Sequence, residues 1–105
     1  MRETRPTLPF DAADPATWQA TFDQDVINLR RLPTQRLVCK ARAILESIGM
    51  GIPYTRFRGK RFHWDRTLIS VPLGLHYRLL FRDEKGVLRP LCCLSHEAYN
   101  KWRPG

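Results

Sequence analysis

Apolar residues along this chain change their period part-way. Trp18, Phe22, Val26 and Leu29 recur at helical spacing, and so do Leu37, Val38, Ala41, Ile44, Leu45 and Ile48. Each stripe predicts an amphipathic helix with one face on a core. Asp14-Pro15 offers a cap followed by proline at the first helical position, and Pro33 stops that helix. Thr34 is suited to cap the second, which Gly49, Gly51 and Pro53 bring to an end. So short a connection predicts an antiparallel helix pair.

From Thr67 onward the period falls to two. Thr67-Leu68-Ile69-Ser70-Val71 is a β-branched strand, and Pro72-Leu73-Gly74 a turn. In the next strand Leu75, Tyr77, Leu79 and Phe81 alternate with His76, Arg78, Leu80 and Arg82, so one face is apolar and the other mainly cationic. Asp83-Glu84-Lys85-Gly86 is a hairpin turn into a strand from Val87 to Leu94, where Pro90 predicts an edge, a bulge or an interruption. Ser95 then caps a short helix, His96 to Trp102. The expected fold is α+β: an N-terminal antiparallel helix pair packed on an antiparallel β-sheet meander, with a short C-terminal helix. Residues 1–105 suffice for one domain, and Pro6 and Pro9 make residues 1–13 an extended arm.

Charge sharpens the picture. The net charge is +8, and residues 54–82 carry seven basic residues against one acidic, Asp65. Within 53–66, Arg56, Arg58, Lys60, Arg61 and Arg66 interleave with Tyr54, Phe57, Phe62 and Trp64, read as a short strand or two around a loop at Gly59-Lys60. Cations among aromatics suit phosphates and unpaired bases, although an acidic protein would fit the same footprint. No apolar run in the sequence approaches the ~20 residues of a membrane span. Met1 to Pro6 has no hydrophobic signal core, so a cytoplasmic location is expected. The three cysteines (two of them adjacent) form no Cys-x-x-Cys pair and read as buried reduced thiols. The three histidines are not spaced as ligand pairs, so neither a metal nor a cofactor is expected.

Leu68 to Val71, His76-Tyr77-Arg78-Leu79-Leu80-Phe81, the turn at Gly86, the apolar strand after it and Ser95-His96-Glu97-Ala98-Tyr99 follow one another in an order that resembles the RelE/ParE superfamily. These are small basic toxins of bacterial type II toxin–antitoxin systems, and the resemblance covers about residues 60–102. It implies an acidic antitoxin as partner. It also implies one of two activities: ribosome-dependent cleavage of mRNA, the leading expectation, or inhibition of DNA gyrase without chemistry; a non-catalytic member that only binds RNA or antitoxin is a third.

RNA cleavage by internal attack needs a group to take the 2′-hydroxyl proton, a cation for the crowded phosphate and an acid for the leaving 5′-oxygen. Arg78 matches the family's Tyr-Arg arginine and is the candidate cation, its planar fork suiting phosphate oxygens. His96 and Tyr99 match the C-terminal element that holds acid–base or stacking groups. Lys60 and Arg61 resemble a catalytic basic cluster. Arg56, Arg58, His63, Arg66, His76 and Arg82 are the expected RNA contacts. Some members use a glutamate as base, and here the only carboxylate between Ser47 and Asp83 is Asp65. The chemistry would therefore fall to basic residues or histidines.

Overall fold

A computed structural model describes residues 21–102. Its first regular helix, α1 (Gln35–Gly49), is the second of the two expected. Thr34 caps it from extended backbone, its Oγ1 accepting the Leu37 N–H at 3.2 Å. Val38, Ala41, Ile44 and Ile48 form the buried stripe. Gly51, at φ +97°, lets the chain turn away after Met50.

The partner helix differs from expectation. Its start, like the 1–13 arm, lies outside the described residues. Its remainder is a single 3-10 turn, Phe22–Gln24, followed by irregular chain up to Thr34. Phe22, Leu29 and Leu32 would share a helix face, but Ile27, buried with them, would point away from it, and Val26, counted in the helical stripe, is 71% exposed. Polar side chains account for the break. Asn28 Oδ1 accepts the Arg30 N–H at 2.9 Å, a local bond that competes with helix pairing. Asp25 takes a bidentate pair of bonds from Arg42 of α1, both 2.9 Å, which holds the segment extended across that helix.

The sheet has the order β1-β2-β3-β4, all antiparallel. Its strands are β1 (Lys60–Arg61), β2 (Leu68–Leu73), β3 (Tyr77–Glu84) and β4 (Val87–Ser95). The β2–β3 turn is Gly74-Leu75-His76, later than expected, so Leu75 leaves the strand and is 88% exposed. Pro90 lies on an edge strand beside a bulge: Leu80 pairs with Cys92 and Phe81 with Pro90, leaving Leu91 over. One sheet face, with Ile69, Val71, Leu73, Leu79, Phe81 and Cys93, packs on α1 and the 22–32 segment.

The other face carries a small second cluster of Phe62, Leu68 and Leu80, against which Tyr99 packs. Tyr99 comes from α2 (His96–Trp102), whose first turn is capped by Ser95 Oγ accepting the Ala98 N–H at 3.1 Å. The fold is thus α+β, with a helix on one side of a four-stranded meander and a short C-terminal helix on the other. Of the cysteines, Cys93 is buried and Cys92 half-buried, but Cys39 is exposed on α1, contrary to the buried-thiol expectation. No described helix is long and apolar enough to cross a membrane.

Candidate functional site

The alternation along β3 sends Tyr77, Leu79 and Phe81 into the main core and Arg78, Leu80 and Arg82 to the opposite face. On that face Ser70 lies level with Lys60 on one neighbour strand and Leu80 on the other. Ser70 is only 3% exposed, and its Oγ accepts a hydrogen bond from Arg78 Nη1 at 3.0 Å. The Arg78 guanidinium also sits 4.6 Å over the centre of the Tyr99 ring. A hydroxyl and an aromatic face therefore fix its plane while it stays partly open to solvent.

Helix α2 brings Tyr99 there. The His96 N–H donates to the His76 carbonyl at 2.6 Å, pinning the helix start to the β2–β3 turn. One turn on, the Tyr99 ring meets the edge of Phe62 at 5.6 Å. His96, exposed, lies nearly parallel to Tyr99 with centroids 6.5 Å apart. Phe62 in turn meets Trp64 edge-on at 5.1 Å. Arg78 from β3 and Tyr99 and His96 from one turn of α2 thus stand in one row.

Lys60 shares this face and lines a groove with Arg58 and Arg78. Arg61 does not join them. Its Cα partner is Ile69, so it takes the α1 side of the sheet, over Tyr54 and in an ion pair with Asp83 at 2.8 Å. The Arg61 hydrogen bond holds Asp83 below the ordinary carboxylate range, with the Gly86 N–H adding to it. Arg82 is on the Arg78 face but donates to Thr67 Oγ1 at 3.0 Å, with Asp65 4.0 Å away. Thr67, through its hydroxyl and its N–H, lowers the pKa of Asp65, making this carboxylate a weaker base than a free one.

Arg66 donates to the Phe62 carbonyl at 3.5 Å, and His63 is exposed in the loop after β1. His76 lies in the β2–β3 turn and lines a hollow of about 590 Å³ with Tyr77, Ser95, His96, Glu97 and Asn100. Arg56 and Arg58 lie at and just after a 3-10 turn, Tyr54–Phe57, on the far side of Lys60. Among the described residues no group of His, Cys, Asp and Glu could hold a metal ion. Ser70 was missed from the sequence; its one signal is a small polar residue inside an otherwise apolar strand.

A family model described as the ParE-like toxin domain matches residues 35–101, from the start of α1 to the end of α2. The chain belongs to this family. The match takes in every strand and each element of the Arg78 site, and it makes the protein a toxin of the toxin–antitoxin type with an antitoxin as partner. No curated protein and no solved structure matches this ParE-like chain significantly.

Proposed function

We propose that this ParE-like toxin cleaves RNA at the row formed by Arg78, Tyr99 and His96, with mRNA on the ribosome as its substrate and the cytoplasm as its place of action. The observation that carries the reading is the guanidinium of Arg78, oriented by Ser70 and Tyr99 with an exposed imidazole beside them. A phosphodiester against Arg78 would have its non-bridging oxygens met by a fixed cation as the phosphorane forms. The 2′-oxygen attacks phosphorus and its proton passes to His96. The bond to the 5′-oxygen breaks, and solvent protonates that oxygen, leaving a 2′,3′-cyclic phosphate and a 5′-hydroxyl. Lys60 adds charge on the same face. Tyr99 positions Arg78, since the guanidinium occupies its ring.

Inhibition of DNA gyrase without chemistry is the second reading, favoured by membership in a family described as ParE-like. One pair of assays separates them. In a translating extract the wild-type chain should yield cut mRNA, and Arg78→Ala should lower cutting about 10²–10³-fold. Intact mRNA together with DNA left relaxed or cleaved in a gyrase supercoiling assay would refute the nuclease reading and select the second.

A further inference from the structure

Two hollows adjoin the Arg78 site and share Arg58 and Pro72. One, about 490 Å³, is lined by Arg58, Gly59, Lys60, Pro72 and Arg78; the other, about 500 Å³, continues past Arg56 and Phe57 to Lys40 of α1. Together they form a groove that leaves the Arg78 face beside β1 and passes round the end of the sheet to the helix side. Among the described residues its lining holds five cations and no carboxylate. Elsewhere half of the described basic residues are spoken for: Arg30, Arg42, Arg61, Arg82 and Arg89 each lie against an acidic side chain. Among the described residues Lys40, Arg56, Arg58 and Lys60 make no ion pair. On the opposite side of Arg78, the hollow at His76 and His96 contains Glu97.

We propose that this groove is the track for the sugar–phosphate backbone of single-stranded RNA, which runs from Arg78 past Lys60 and Arg58 to Arg56 and Lys40. The asymmetry sets the direction: a polyanion is drawn along the cationic side and away from Glu97. Phe57, between Arg56 and Arg58, packs against the main core and lines the second hollow with what remains open of it, so the phosphate contacts have a partial aromatic surface between them. An acidic peptide is less well served. β1 is only two residues long, Gly59 is buried and Arg58 has φ +64°, so the edge has no row of free backbone groups for an added strand. Lys40 enters this site from a helix that the charge pattern of the sequence did not implicate.

The proposal rests on the RNA reading of the Arg78 centre, so its test must not depend on cutting. A fluorescent oligoribonucleotide of about twelve residues, 2′-O-methylated throughout, binds without offering a nucleophile, and its anisotropy is titrated against the full chain at several salt concentrations. Lys40→Gln with Arg56→Gln should flatten the log–log salt slope by about 1.4 and weaken binding about 25-fold near 0.1 M salt, at ~0.7 counterions released per single-strand contact. Lys85→Gln with Lys101→Gln removes the same charge from exposed positions off the groove and should leave affinity within about twofold. Equal losses in the two double variants would reduce the effect to net charge and overturn the track. So would a wild-type affinity for the oligonucleotide no higher than for a glutamate-rich peptide of equal charge. RNA held in the groove by a chain that cuts nothing would sink the nuclease reading and leave the track standing.

Discussion

Gly59→Ala and Gly49→Ala should shift stability in opposite directions, although both replace glycine by alanine. Gly59 is buried where the 3-10 turn meets β2. A Cβ there would lie 2.8 Å from Tyr54 Cδ1, 2.9 Å from the Tyr54 carbonyl oxygen and 3.0 Å from Val71 Cγ2. The carbonyl is already bonded to the Gly59 N–H at 3.1 Å, and Val71 is fully buried. Neither can yield cheaply. Overpacking of this kind costs about 1–3 kcal/mol, and the stiffer unfolded chain returns about 0.4–1 kcal/mol of that. A net loss of about 1.5 kcal/mol lowers the Tm of a domain this size by roughly 6–12 °C. Gly49, the last residue of α1, has ordinary φ and open space where its Cβ would go. Alanine there should stabilise by about 0.4–1 kcal/mol, raising Tm by a few degrees. Thermal unfolding followed by circular dichroism reads both. A Gly59→Ala chain melting at or above the wild type would refute the close packing of β1 against the turn. The same strain should disturb the neighbouring Lys60 and with it the groove.

Acid stability tests the Arg61–Asp83 pair. Asp83 titrates lower in the folded chain than when unfolded, so its contribution is full above the unfolded value of about 3.9 and fades as pH falls toward the lower native one. Urea midpoints measured from neutrality to about pH 2.5 should fall less steeply at the acid end for Asp83→Asn than for the wild type; equal slopes would mean that the pair is not formed. Thiol labelling tests the cysteine placements. Cys39 is exposed, while burial pushes Cys92 up and Cys93 to about 11. A thiol reagent at neutral pH should therefore modify Cys39 fast and Cys93 only on unfolding, as peptide mapping would show.

Local pattern was enough to read α1, the meander, the edge character of β4 at Pro90 and the Ser95 cap. Each depends on neighbours within a few residues: the helical stripe, the alternation of faces, a hydroxyl at a helix start. The same reasoning failed for residues 22–32. There the apolar spacing of Phe22, Val26 and Leu29 suited a helix, but Asn28 and the Asp25–Arg42 bonds drew the chain out of it.

The candidate site was legible as a set of residue types and only partly as a place. Alternation alone put Arg78 and Arg82 on one face of β3. That Lys60 faces Arg78 while its neighbour Arg61 turns to Asp83 follows from the β1–β2 register, which a one-residue slip would reverse. Ser70 beneath Arg78, Tyr99 against its guanidinium and Lys40 at the far end of the groove meet through strand pairing and helix docking, across separations of eight to thirty-eight residues. Side-chain period is set by the backbone within each element, so the sequence determined it. Which elements meet, and what stands between them, is set by how the core closes, and only the tertiary structure decided that.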